Sequence, residues 1–350
     1  MVGCDTEGRK QKPNIIFILA DDLGTEVLGC YGGKTYQTPN INRLAEKGVR
    51  FNHCYSAPVC SPSRVNLLTG RYGFRTGQEW GKLPQDEITI AQILRKNDYK
   101  TGIAGKWQMA LLKDNPNHIK QMGFDESCVF GWHEGPRYYE PLIYQNGKIL
   151  DNVKNEYGPD IYNKFLIEFI RQNKNEPFFA FYSMALAHEV SNDFVIPPPV
   201  GPLGRYQTYK ELVEYSDILI GRVIDTVKEL GLEENTLIIY TADNGTPNGF
   251  IVKYENGDYI REPVFSAIGD SLIRGGKSFF TDAGTHVPLL ASWKGVTPAG
   301  TINYNLIDFS DFLPSFCELT QAEIPNDRTF DGLSFVPQIY GSPSEVRKWA

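Results

Sequence analysis

No stretch of about 18 consecutive apolar residues, the length a helix needs to cross a bilayer, occurs in this chain. Cysteine is scarce: the six (Cys4, Cys30, Cys54, Cys60, Cys128 and Cys317) lack the paired spacing of a zinc site or a disulfide framework. With Cys60 set aside, the odd remainder fits mostly free thiols. Positive charge is in deficit, with a formal net charge of −7 and no Lys/Arg stripe, which excludes nucleic acid as the partner. Repeats and low-complexity segments are absent. What remains, 350 residues of which 41% are hydrophobic, suffices for one large α/β domain or one large and one small domain.

Three segments carry chemistry. The first is Pro58-Val59-Cys60-Ser61-Pro62-Ser63-Arg64-Val65-Asn66-Leu67-Leu68-Thr69-Gly70-Arg71. Taken as bare residues it is compatible with a buried free cysteine ahead of a helix. The second, Ile15-Ile16-Phe17-Ile18-Leu19-Ala20, reads as a buried strand and ends in Asp21-Asp22; the third, Leu237-Ile238-Ile239-Tyr240, ends in Thr241-Ala242-Asp243-Asn244-Gly245. Each acidic tip alone is also an ordinary turn or cap signal. Ligands of open α/β sheets bind beyond the carboxyl ends of the strands, so tips far apart in sequence can converge there. Three carboxylates and an amide oxygen then make a hard, all-oxygen set, fit for Ca²⁺ or Mg²⁺ and poor for zinc or copper.

Cys60 followed by Pro62, Arg64 and the Leu67-Leu68-Thr69-Gly70 tail resembles the signature of the type I sulfatases, formylglycine-dependent hydrolases of the alkaline phosphatase superfamily. The resemblance implies that a formylglycine-generating or sulfatase-maturating enzyme oxidises Cys60 to an aldehyde. Hydrated to a geminal diol, it would attack sulfur with one hydroxyl, and collapse of the other would release sulfate from a sulfoenzyme intermediate. Asp21, Asp22, Asp243 and Asn244 are implied as metal ligands, with residue 60 as a further one, and Ca²⁺ is expected ahead of Mg²⁺. Arg64 would help to hold the diol. Gly105-Lys106-Trp107 is similar to the second sulfatase signature and places Lys106 against diol and sulfate. His188, in Ala185-Leu186-Ala187-His188, matches the histidine at the leaving oxygen, and Lys277, in Gly275-Gly276-Lys277, the lysine on the far side of the sulfate. Two lysines and a cation around one anion form a clamp that strengthens as charge shifts in the transition state. His286, where the family usually has arginine, reads as structural.

Gln108 departs from the pattern. After Gly-Lys-Trp the family commonly has a histidine that serves as base in the elimination; glutamine can hydrogen-bond there but takes no proton near neutral pH. A branch of glycan sulfatases carries Gly-Lys-Trp-Gln. Gly131-Trp132-His133-Glu134-Gly135-Pro136-Arg137-Tyr138-Tyr139 combines aromatic faces with a cation, so Trp132, His133 and Arg137 are expected to bind substrate alongside Gln108. The reading is a sulfatase acting on sulfated carbohydrate. Its alternatives are a phosphatase or phosphonate hydrolase of the same superfamily, and a pseudoenzyme that binds sulfated glycan.

Along the chain, Thr38-Pro39-Asn40 predicts a capped helix to about Lys47, and Cys60 opens a helix to about Thr69 whose free N–H groups favour an anion. Helices are also predicted from Ile88 to Asn97, from Ile161 to Asn173 with Asp160 as cap, and from Tyr209 to Leu230; Lys100 to Ala104 reads as a strand. The segment from Pro247 to Ile273 reads as a long insertion. Alternating strands and helices predict a large, mostly parallel sheet covered by helices on both faces. That is the alkaline-phosphatase-like sulfatase core, expected over residues 13–338 after a tail of residues 1–12. Residues 339–350 read as the start of a C-terminal small antiparallel subdomain that is otherwise missing. Family habit implies a periplasmic or extracellular protein, and Val2-Gly3-Cys4-Asp5 resembles the end of a bacterial lipoprotein signal, with a lipid anchor through Cys4.

Overall fold

A computed structural model describes residues 12–189, 199–342 and 347–350. The strands in chain order are β1 Asn14–Ala20, β2 Val49–Tyr55, β3 Lys100–Lys106, β4 Glu126–Phe130, β5 Tyr144–Gln145, β6 Lys148–Ile149, β7 Phe178–Ser183, β8 Thr236–Ala242, β9 Phe250–Glu255, β10 Asp258–Glu262, β11 Phe265–Ile268, β12 Ser271–Arg274, β13 His286–Ser292 and β14 Thr301–Asp308. Ten form one sheet in the order β14-β2-β13-β8-β1-β7-β3-β4-β5-β6. Its centre, β8-β1-β7-β3, is parallel. β13 runs antiparallel to both β2 and β8, so the sheet is mixed but mostly parallel, as expected.

The central strands are continuous apolar runs because helices cover both faces. Helices Pro39–Glu46, Gly158–Gln172 and Tyr209–Glu229 share one side; Cys60–Thr69, Ile90–Lys96 and Phe312–Thr320 share the other. Phe17 on β1 packs its ring against Phe181, Phe312 and Phe316 at 5.3, 5.3 and 5.5 Å between centroids. Burying each such ring contributes about 1.5–3 kcal/mol. Gly102 on β3 leaves room for Phe169 of the opposite layer: a Cβ there would lie 2.8 Å from the ring.

Two caps differ from expectation. The helix expected at Ile161 starts at Gly158, because Pro159 presets the helical φ in its first turn. Asp160 is therefore no cap; its carboxylate accepts from the Tyr215 hydroxyl at 2.7 Å and from Arg222 at 2.6 Å. The helix at Pro39 receives no side-chain bond from Thr38. Asp217, on helix Tyr209–Glu229, accepts instead from the Asn40 and Ile41 N–H groups at 3.1 and 2.8 Å. The insertion folds as two antiparallel hairpins, β9-β10 and β11-β12. Cys4 and the lipoprotein-like segment lie outside the described residues. Among the described residues no helix is long and apolar enough to cross a membrane.

Candidate active site

Parallel pairing sets the strand ends level. Ala20 pairs with Ala242, Leu19 with Ser183, and Gly105 with Ser183, so β1, β8, β7 and β3 finish at one edge. Asp21-Asp22, Asp243-Asn244, the loop to His188 and Lys106 all leave the sheet there. The backbone ties the ends together: Asp21 N–H donates to the Leu186 carbonyl at 3.0 Å, and Leu23 N–H to the Asn244 carbonyl at 3.0 Å. Positions more than two hundred apart in sequence thus become neighbours.

One oxygen from each of Asp21, Asp22 and Asp243 lies within 4.8 Å of the others, and all three side chains are buried. Oxygens on opposite sides of a Ca²⁺ at 2.3–2.6 Å stand about 5 Å apart, so the spacing fits. Asp21 Oδ1 and Asn244 Oδ1 are buried without a hydrogen-bond partner. Such orphans are costly, and a hard cation would satisfy both. Burial and the neighbouring Asp21 charge push Asp243 up to about 6, with Arg64 opposing. Burial also raises Asp22, against Lys277. For Asp21 burial acts the same way, but the charges of Lys106, Arg64 and Lys277 together hold it well below the usual carboxylate range.

The cationic residues surround this cluster. Lys106 pairs with Asp21 at 2.7 Å with both side chains fully buried, and Lys277 pairs with Asp22 at 2.6 Å. Ser278 N–H donates to the Pro58 carbonyl at 2.9 Å, which ties the Lys277 loop to the approach of Cys60. Cys60 is the first residue of helix Cys60–Thr69, whose first-turn N–H groups receive no side-chain cap. Burial, then Lys277, push His188 well below its ordinary pKa, leaving a neutral imidazole. Its Nδ1 is 3.0 Å from the Glu189 carbonyl, so Nδ1 carries the proton and Nε2, 3.8 Å from Asp22, is the acceptor.

Arg64 is not a surface residue. It is 2% exposed, and its guanidinium donates to Asp243 at 2.7 Å and to the Ser183 hydroxyl at 2.5 Å. Arg137 is also buried, its guanidinium 5.4 Å from the centroid of the Phe130 ring. Burial lowers the pKa of His133, and the charges of Arg137 and Lys106 lower it further. Trp132 packs on His133 with centroids 4.0 Å apart. Gln108, 5% exposed, follows Trp107 and has φ +45°. His133 and Ser278, at φ +46° and +76°, share the left-handed region, whose cost of about 1–2 kcal/mol is typical of residues held in place at functional sites. His286 stacks on Tyr55 at 5.1 Å and bonds the Asn52 carbonyl at 2.8 Å, a packing role.

The sequence reading passed over Ser183, which links Arg64 to the Lys106 carbonyl, and Tyr138, whose hydroxyl donates to the carbonyls of Ala185 and His188 at 2.8 and 2.6 Å. A serine closing an apolar strand and a tyrosine in a loop carry no local signal of such roles.

The family model described as Sulfatase matches residues 13–322. The chain is 28% identical to arylsulfatase D of Homo sapiens, the match covering 95% of this chain and 69% of that enzyme. It is 29% identical to the human N-acetylgalactosamine-6-sulfatase, covering 96% and 67%. Among solved structures, Ps i-CgsB in complex with k-i-k-neocarrahexaose superposes with a TM-score of 0.76 at 28% identity, covering 95% of this chain and 77% of that one. The PsFucS1 sulfatase from Pseudoalteromonas sp. gives 0.73 at 26% identity, covering 97% and 74%.

Proposed function

Because this chain belongs to the sulfatase family and is thereby a sulfuric ester hydrolase, we propose that it removes sulfate from carbohydrate at the centre built by Cys60, Lys106, His188 and Lys277. The observation that carries this reading is two lysines paired to a buried three-carboxylate cluster at the same strand edge as Cys60. Formylglycine formed from Cys60 would supply the nucleophile, and Ca²⁺ held by Asp21, Asp22, Asp243 and Asn244, with residue 60 as a further ligand, would polarise a sulfate oxygen.

The chain's own residues do the rest. Lys106 and Lys277 offset the charge of the sulfate from two sides, in a site dry enough for that attraction to be strong. An anion beside His188 favours the imidazolium, whose Nε2–H can pass its proton to the leaving oxygen. Arg64 orients Asp243 and, through Ser183, the Lys106 backbone. Gln108 would hydrogen-bond at the nucleophile, and Trp132, His133 and Arg137 would wall the sugar side.

Carbohydrate as the substrate class is supported by the hexasaccharide bound to Ps i-CgsB and by the amino-sugar sulfatase among the relatives. A maturating enzyme is the partner that oxidation of Cys60 requires. Export to the periplasm or beyond follows family habit, with Cys4 as the candidate anchor.

The test is to coexpress the chain with a formylglycine-generating enzyme and assay aryl sulfate, aryl phosphate and a panel of sulfated sugars. Sulfate esters should be hydrolysed in preference to phosphate, mass spectrometry should find the aldehyde in the Cys60 peptide, and Cys60→Ala should be inactive yet folded. Unmodified cysteine beside a fully converted control sulfatase, or preference for phosphate, would sink the reading.

A further inference from the structure

Trp80 is 56% exposed. Its loop is pinned to the residue after Cys60: the Ser61 hydroxyl accepts from Gly81 N–H at 3.0 Å and from the Gln78 amide at 3.1 Å. Gly81, at φ +70°, lies under the Trp132 ring, where a Cβ would come within 2.4 Å of a ring carbon. Trp80 in turn meets Trp132 edge to face, centroids 6.0 Å apart and planes at 75°. Three rings therefore run outward in series. Trp132 packs against His133, and Trp80 against Trp132, with Trp80 the most open of the three.

What sets Trp80 apart from other exposed apolar side chains is its place: its loop is hydrogen-bonded to Ser61, beside Cys60, and its ring continues the Trp132–His133 contact. A tryptophan ring offers broad, rigid contact at little cost in side-chain entropy, suited to a partner with flat apolar faces and polar edges. A pyranose ring has that form. Because the Trp80 loop is tied to Ser61, the residue after Cys60, the track flanks the reacting centre, at the place a sugar next to the sulfated one would occupy.

We propose that Trp80, with Trp132, forms an outer sugar subsite, so that the substrate is a sulfated oligosaccharide engaged by at least two rings. This rests on the sulfated-carbohydrate reading above.

The test uses the matured protein, Trp80→Ala and Trp80→Phe. Substrates are 4-nitrophenyl sulfate and the sulfated disaccharides and hexasaccharides prepared from chondroitin sulfate and from carrageenan. Trp80→Ala should raise KM for the hexasaccharide that is turned over about tenfold more than KM for 4-nitrophenyl sulfate, with kcat within about twofold. Trp80→Phe should restore most of the difference. An equal rise for both substrates would mean a merely structural role and overturn the subsite, as would no rise at all. Turnover of 4-nitrophenyl sulfate with none of either hexasaccharide would also overturn it while leaving sulfatase activity standing. Loss of every sulfatase activity in the wild type would instead overturn the catalytic reading, and the subsite with it.

Discussion

Arg64 and Asp243 form an ion pair at 2.7 Å with side chains 2% and 0% exposed, joining the helix that begins at Cys60 to the strand end that carries the acidic cluster. Removing one partner of a buried pair leaves the other uncompensated, so Arg64→Ala should cost about 3–5 kcal/mol in urea unfolding. Arg64→Lys keeps the charge but lacks the fork that reaches Asp243 and Ser183 together. It should recover more of the stability than of the sulfatase activity. Full recovery of both by lysine would show that only the charge matters.

The orphaned oxygens of Asp21 and Asn244 predict stabilisation by a hard cation. Ca²⁺ at a hundred times its Kd should add about 2.7 kcal/mol, seen as a rise in melting temperature that zinc does not reproduce. Asp243→Asn or Asn244→Ala should reduce the rise. Since Asp243 is pushed up to about 6, protons compete with the cation, and the rise should shrink as pH falls through 6. Without cation the sign reverses: a carboxyl whose pKa is raised on folding costs stability as pH climbs from 3.8 to about 6. A calcium effect independent of pH between 5 and 8 would contradict this assignment.

Gln108 predicts slow release of sulfate. Glutamine takes no proton, so in a single turnover the leaving group should appear before free sulfate. Gln108→His should narrow that gap and alter the pH dependence of turnover while leaving the first transfer nearly unchanged. Simultaneous, fast appearance of both products in the wild type would show that the missing histidine is no handicap.

Helix Tyr209–Glu229 opens with a capping box in which Thr208 and Glu211 bond reciprocally. Hydrogen bonds from Arg205 first, and from Thr208, lower Glu211 to about 2. A depressed carboxyl contributes stability above its unfolded value of 4.5, and that contribution fades as pH falls from there toward 2. The pair is largely exposed, so solvent screening keeps it under about 1 kcal/mol. Glu211→Gln should lower the urea midpoint slightly at pH 7, and the difference from wild type should diminish by pH 3.5. A constant difference across that range would assign the effect to the cap rather than to the charge.

Several elements of this protein are local properties of its sequence. The run Ile15 to Ala20 is apolar without interruption, so it is a strand covered on both faces; the period of Leu212, Leu219, Val223 and Val227 makes a helix with one buried side. The motif around Cys60, the acidic tips and Lys106 are legible because their residue types and spacings sit in short contiguous segments. Other features depend on pairing between distant segments. Asp217 displaces Thr38 as the cap of the first helix, Ser183 completes the Arg64 contacts, and Trp80 reaches Trp132, only because sheet register and helix packing bring them together. Hydrogen bonds and ring contacts act over a few ångströms in space, whereas sequence patterns report only what a segment can bury along its own length. What a residue can do is therefore written locally, and which partner it meets is decided by the tertiary fold.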